Sequence, residues 1–219
     1  MLAAFRAEAA RLASSLGGLA DAQWARPTGC PPWNVAGLLG HVVTVIAWVP
    51  GMLAAPAPVA ASVSAVDYYR AGERFSPPVN AARVALGLSR ASGAGSATAL
   101  LAEFDRTWRS VADLCAAEAP GRVVLTRHGD AMTLTDFLVT RIVEVGIHGL
   151  DLAAALDRPP WLTPATAEVL TDLLLDEDAD ARLAEVGLDR TTFLRKATGR
   201  LSFGPGERER LAPRSLALG

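Results

Sequence analysis

One predicted helix carries charged side chains on a face where apolar residues are expected. The four side chains are Arg141, Glu144, His148 and Asp151. Their spacing of three, four and three residues places them on one face of a helix over residues 135–156. Beside them runs an apolar seam formed by Leu138, Ile142, Val145, Leu152 and Leu156. Burying an unpaired charge costs on the order of several kcal/mol, so the pattern predicts a metal ion, an ion network or water beside this face.

The chemistry concentrates in three residues. Glu144 and His148, four residues apart on one helix face, can bind the same metal ion. A third ligand from a facing helix, for which His41 is the candidate, would leave one coordination position exchangeable, as in catalytic sites. Spacing alone does not exclude a role without metal, because a Glu-x-x-x-His pair also occurs as a solvated ion pair on a helix surface.

Asp151 lies one helical turn beyond His148 and has two interpretations. It could orient a metal ligand or bond the free imidazole nitrogen of His41. It could instead form an ion pair with Arg158 at the end of the helix. The sequence does not choose between them.

Two arginines are candidates for binding an anionic substrate. Arg141 could hold a substrate carboxylate in a forked contact, although neutralising Glu144 one turn away is the favoured role. Arg83, which follows a long connection over residues 54–79, is the second candidate. His128 is expected to be solvated in a turn, and Cys30 to be a small buried residue, so we expect neither to take part in the chemistry.

Four main helices must position these groups. They are predicted over residues 2–16, from an N-cap at Asn34 through His41, over 97–117, and over 135–156 behind a Thr133–Asp136 capping box. A β-hairpin with strands over residues 122–126 and 131–134 precedes the last of them. Weaker helices are predicted over residues 164–177 and 190–198.

Composition excludes several function classes. The chain has 219 residues and a formal net charge of −2, so it lacks the basic surface expected of a nucleic-acid-binding protein. Its two cysteines, Cys30 and Cys115, are too few for a disulfide framework, which favours a reduced, cytoplasmic setting. Charged residues interrupt the N-terminal apolar stretch, so export is not indicated.

Residues 35–55 contain no charge and are long enough to span a bilayer. Pro50 and Gly51 interrupt the segment, and no basic cluster flanks it. A buried bundle helix is therefore favoured over a membrane helix, and no membrane partner is expected.

Two sequence segments resemble a known family. The run CPPWNVAGLLGHV at residues 30–42, followed by RIVEVGIHGLDLA at residues 141–153, resembles the mycothiol-dependent maleylpyruvate isomerase family of the DinB-like superfamily. The segment FLRKATGR at residues 193–200 is also similar to one that closes many members.

The resemblance implies a DinB-like four-helix bundle. Together with the sequence pattern, this predicts a mainly α fold with long connections, a small β-hairpin before the fourth helix and a short C-terminal helical extension. The bundle would occupy residues 1–157, and the C-terminal extension, residues 158–219, would pack on it. The resemblance also implies a divalent metal, usually zinc, held by His41 from the second helix and by Glu144 and His148 from the fourth.

Family members include thiol-dependent isomerases and thiol S-transferases. The implied partners are therefore mycothiol or a similar thiol and a small electrophile, in a monomer or homodimer. A thiol at the open metal position would lose its proton more readily and attack the electrophile. Two non-catalytic alternatives stay open: a metal-stabilised scaffold or sensor, and a metal-free buried ion network.

Overall fold

Helices dominate the computed structural model, which describes residues 1–175 and 178–218. In chain order the helices are α1 (Leu2–Leu16), α2 (Asp21–Trp24), α3 (Val35–Ile46), α4 (Val49–Ala54), α5 (Ala65–Tyr68), α6 (Pro77–Gly93), α7 (Ala97–Ala117), α8 (Leu134–Ala155), α9 (Pro164–Leu175), α10 (Ala179–Val186), α11 (Arg190–Ala197) and α12 (Glu207–Leu211). A 3-10 turn covers Glu73–Phe75, and the strands β1 (Val123–Leu125) and β2 (Ala131–Thr133) lie between α7 and α8.

The predicted four-helix bundle is confirmed as α1, α3, α7 and α8. Helices α1 and α3 each pack against both α7 and α8, so the four helices enclose one apolar core. Side chains at the centre of this core, fully removed from solvent, include Phe5, Leu12, Leu39, Phe104 and Ile142. Burying each of these side chains stabilises the fold by about 1.5–3 kcal/mol, so this core is the main source of its stability.

Two side-chain caps fix where the site-bearing helices begin. The Asn34 side chain accepts a hydrogen bond from the Gly37 amide at 2.8 Å, so α3 starts two turns before His41. The Thr133 hydroxyl accepts from the Asp136 amide at 3.0 Å and donates to the Asp136 carboxylate at 2.7 Å. Both predicted caps are therefore confirmed.

Helix α6 was not anticipated. It begins at Pro77, inside the stretch interpreted as a connection over residues 54–79, and packs along the outside of α3. The two backbones approach so closely that a Cβ atom on Gly40 would lie 2.4 Å from the Gly87 carbonyl oxygen. Gly87 is the only fully buried residue of α6 in the described chain, and the apolar side chains of Val84 and Ala91 pack against the core while only partly buried.

The predicted hairpin is confirmed within a residue at each end. Val123 pairs with Thr133 and Leu125 with Ala131, and Gly129 takes a φ of +85° in the connecting turn. The hairpin leads directly into α8.

The C-terminal extension packs on the bundle through α9, which contacts α8 and α1, while α11 packs on α9. The helix predicted over residues 164–177 is observed as α9, and its predicted end at residue 177 lies outside the described residues. The helix predicted over residues 190–198 is α11. Helices α10 and α12 were not predicted; α12, with five residues, is too short for a periodic apolar pattern.

The uncharged segment lies in the bundle. Val35–Ala54, covering α3 and α4, has the length and composition of a membrane span, but most of it is buried inside the protein. Its residues supply the core contacts of a bundle helix.

Candidate metal centre

Ligand atoms from α3 and α8 meet inside the bundle. Nε2 of His41 lies 2.9 Å from Oε2 of Glu144, and Nε2 of His148 lies 3.5 Å from the same oxygen. The three ligand atoms all lie within 4.8 Å of one another. Ligands about 2.1 Å from a tetrahedral zinc ion stand roughly 3.4 Å apart, so the donor set and its spacing fit such an ion.

Packing holds His41 firmly. Its side chain is 2% exposed, and its ring stacks on Trp33 with centroids 4.7 Å apart. Gly87 of α6 lies against it, since a Cβ atom there would come within 3.1 Å of the His41 Cβ. The unpredicted helix α6 therefore covers the back of this histidine.

The electrostatics of the three groups are coupled. Burial tends to raise the pKa of Glu144, but hydrogen bonds from His148 and His41 and the charge of Arg141 hold it well below its usual value. Burial lowers the pKa of His41. Burial also acts to lower the pKa of His148, but hydrogen bonds with Asp151, Cys30 and Glu144 outweigh it and raise this pKa well above the usual value.

One ring nitrogen of the three candidate ligands is buried without a hydrogen-bond partner. Within residues 1–175 and 178–218, Nδ1 of His41 has no hydrogen-bond partner. The candidate ligand atom of His41 is Nε2, which faces Glu144, so Nδ1 would have no partner in a metal site and in an ion network alike.

Asp151 joins the cluster through His148 rather than through His41. Its Oδ2 atom lies 3.0 Å from Nδ1 of His148, its nearest polar neighbour on the same face of α8. The predicted alternatives of a bond to His41 and a pair with Arg158 are both wrong. Asp157 adopts a left-handed φ of +53° and turns the chain away, so Arg158 instead donates to the Ser15 carbonyl at 2.5 Å.

Asp151 has two further partners. Arg200 donates to both its oxygens at 2.7 Å, and the Cys30 sulfur lies 3.3 Å from Oδ2. Burial acts to raise the pKa of Asp151, but the bonds from His148 and Arg200 lower it to about 2. Asp151 is therefore an ionised acceptor near neutral pH.

Arg141 is almost fully buried at 1% exposure. It donates to the Val45 carbonyl at 2.6 Å, lies over the Phe137 ring, and places Nη2 3.9 Å from Oε1 of Glu144. This geometry favours the predicted role of neutralising Glu144.

A cavity of about 940 Å³ opens onto the cluster. Arg83 lines it, with its guanidinium held by Asn80 at 2.6 Å and by the Arg74 carbonyl at 3.2 Å. The described part of the C-terminal extension contributes lining residues that include Arg195, Thr198, Arg200 and Leu218. Such a volume is typical of a site for small organic ligands.

Two residues that line the cavity, Cys30 and His128, were not expected from the sequence to take part in the chemistry. Cys30 is half-buried and lines the cavity instead of lying in the core, and His128 lines it from the hairpin turn. Cys30 lies four residues before the N-cap Asn34. Its position next to the helix that carries His41 could have indicated from the sequence that it lies near the site. Arg200 was not singled out, although it ends the FLRKATGR segment.

Comparison with known proteins identifies the family. The profile described as the mycothiol maleylpyruvate isomerase N-terminal domain matches residues 5–153. The chain belongs to this family. The matched region of this family member contains all three candidate ligands and Asp151, whereas Arg200 and the other extension residues lie beyond it.

Two solved structures share the fold of this family member. They are the crystal structure of the mycothiol-dependent maleylpyruvate isomerase, with a TM-score of 0.53, and that of a histidine-to-alanine mutant, with a TM-score of 0.54. Each alignment has 15% identity and covers 78% of this chain and 66% of the other, just under two thirds of its length. No curated protein matched the sequence.

Proposed function

We propose that this family member binds a divalent metal ion, preferentially zinc, through His41, Glu144 and His148. The observation that carries the proposal is the meeting of three ligand atoms from two helices within 4.8 Å. Two imidazole nitrogens and one carboxylate oxygen suit zinc better than harder cations. Three protein ligands would leave one position for an exchangeable molecule.

We further propose that this molecule is a low-molecular-weight thiol such as mycothiol. The family description and the names of the two similar structures support a thiol cosubstrate. A bound zinc ion supplies a Lewis acid that lowers the pKa of a thiol. The cavity is large enough for a thiol and a small electrophile together.

The residues around the proposed metal ion orient its ligands and bind the substrate. Asp151 orients His148, and hydrogen bonds from His148 and His41 together with the charge of Arg141 keep Glu144 ionised. Arg83 binds an anionic group of the electrophile. If the thiolate sulfur adds to an α,β-unsaturated acid, rotation about the resulting single bond and elimination of the same thiolate give isomerisation. If the adduct is protonated and released, the product is a thiol conjugate.

The chain divides accordingly. Residues 1–157 form the metal-binding bundle, and residues 158–219 form the extension that completes the cavity. The extension residues Arg195, Arg200 and Leu218 support its role in completing the cavity, because they line it together with bundle residues.

The experiment is elemental analysis of protein purified without chelator or added metal, followed by turnover assays with mycothiol against maleylpyruvate and a general electrophile. About one divalent metal ion per chain with thiol-dependent turnover is the expected result. Metal without turnover would favour a metal-stabilised scaffold or sensor. Failure to retain or take up any divalent metal would contradict the proposal.

A further inference from the structure

Arg200 makes a forked contact with a carboxylate that touches a candidate metal ligand. Its Nε and Nη2 atoms donate to the two oxygens of Asp151, each at 2.7 Å, and Oδ2 also accepts from Nδ1 of His148 at 3.0 Å. Asp151 is 5% exposed. The chain Arg200–Asp151–His148 therefore runs through the protein interior and ends at the proposed metal.

The local fold holds this arginine in place. Phe193 and Leu194 of α11 are fully buried, and α11 packs on α9, which packs on α8. Gly199 adopts a φ of +77°, which lets the chain turn sharply after α11, and the Arg200 amide donates to the Arg195 carbonyl at 2.7 Å. The Arg200 Nη1 atom also donates to the Thr198 carbonyl at 3.0 Å.

We propose that Arg200 is a positioning residue for the metal centre, acting through Asp151 on His148. This inference rests on the proposed function. A histidine ligand generally donates its second ring N–H to an acceptor that fixes the ring orientation and tautomer. A carboxylate alone can rotate, but a guanidinium fork fixes both of its oxygens in one plane. Arg200 thus directs Nε2 of His148 toward His41 and Glu144.

The same contact selects between two possible cation sites. Cys30, His148 and Asp151 form a second group whose ligand atoms lie within 4.8 Å of one another. Arg200 occupies both oxygens of Asp151 and places a positive charge there, which opposes a cation in this second group. The first group is left as the site for the ion.

The test compares the zinc affinities of single and double variants by competition with a chromophoric chelator. Arg200→Gln is expected to weaken zinc binding about 10- to 100-fold, as loss of a partner of a ligand does elsewhere. Arg200→Lys keeps the charge without the fork and should restore only part of this loss. In an Asp151→Asn background, Arg200→Gln should add little, because both changes break one chain of contacts.

Arg190→Gln is the matched control. Arg190 also lies in the extension and also pairs with aspartates, Asp172 and Asp180, but it does not contact the cluster. Zinc affinity within about twofold of wild type is expected for this control. An unchanged affinity in Arg200→Gln, an equal loss in Arg190→Gln, or additive losses in the double variant would each overturn the inference.

A metal-free measurement separates this inference from the proposed function. In apo protein labelled with ¹⁵N-histidine, the Nδ1–H signal of His148 should be protected from solvent exchange in wild type and Arg190→Gln. It should lose that protection in Arg200→Gln. If wild type binds no zinc but this difference is seen, the proposed function fails while the positioning by Arg200 stands. If wild type binds zinc but Arg200→Gln leaves the protection of the His148 Nδ1–H signal unchanged, the positioning role of Arg200 is wrong while the proposed function stands.

Discussion

Nε2 of His41 and Oε2 of Glu144 lie 2.9 Å apart, although 103 positions separate the two residues in the chain. The two atoms meet because α3 and α8 pack side by side, each turned about its own axis so that the ligand-bearing face points toward the other helix. Each helix starts at a side-chain cap, Asn34 for α3 and Thr133 for α8. The caps therefore set the register on which the candidate metal centre depends.

Asn34→Ala should lower both stability and metal affinity. Loss of an N-cap costs about 1 kcal/mol, and fraying of the first turn of α3 would loosen His41 two turns later. Chemical denaturation and zinc competition measure the two effects. Ser96→Ala is the control, because Ser96 caps α7, which carries no candidate ligand. It should lose similar stability with unchanged zinc affinity, and a parallel loss of zinc affinity would refute the argument.

Arg141→Met should destabilise the fold strongly. Arg141 is buried beside Glu144 and bonds the Val45 carbonyl, so its removal takes one positive charge from beside Glu144 and leaves the Val45 carbonyl without its donor. Leaving a buried acceptor unpaired costs about 1–3 kcal/mol, and the lost charge adds to this. The equivalent change at Arg109, whose pair with Asp105 is largely exposed, should have little effect on the midpoint of denaturant unfolding. Equal shifts in the two variants would show that Arg141 is not needed to neutralise Glu144.

Zinc affinity should rise with pH. A metal ion requires Nε2 of His148 to be unprotonated, and hydrogen bonds with Asp151, Cys30 and Glu144 hold the pKa of His148 well above its usual value despite burial. Protons therefore compete with the metal below this raised pKa, by about tenfold in affinity per pH unit for one proton. Above it the curve should flatten. A flat profile below neutral pH would exclude His148 as a ligand.

The stability of the metal-free protein should change in the opposite direction. Because the pKa of His148 is higher in the folded state than in the unfolded state, the charged imidazole contributes its full stabilisation below the unfolded pKa. This contribution is lost as pH rises through the folded pKa. Denaturation of the apo protein across that range measures it, and His148→Gln should remove this part of the pH dependence.

Gly40→Ala should displace α6 and disturb the site. A Cβ atom at Gly40 would lie 2.4 Å from the Gly87 carbonyl oxygen, so the two helices must separate, and Gly87 also packs against His41. We expect a lower Tm and weaker zinc binding. Gly51→Ala in α4, where a Cβ atom meets no described atom within 4 Å, should leave zinc binding unchanged. Normal zinc binding in Gly40→Ala would show that α6 is not needed to hold His41.

Sequence patterns predicted the features that depend on residues close together in the chain. The apolar seam of α8 and the caps at Asn34 and Thr133 follow from spacing and side-chain chemistry, as does the shared face of Glu144 and His148. Helix α6 was missed because its closest contact with α3 is made at Gly40 and Gly87, which have no apolar side chain for a sequence pattern to show. The contact between Asp151 and Arg200 was also missed, because the two residues are 49 positions apart and no local pattern links them.

The most direct test of the metal centre is a crystal structure of zinc-loaded protein with anomalous data collected at the zinc edge. The account predicts one strong peak within about 2.0–2.2 Å of Nε2 of His41, Oε2 of Glu144 and Nε2 of His148. A peak bonded instead by Cys30 and Asp151, or density with no ion beside Glu144, would contradict it.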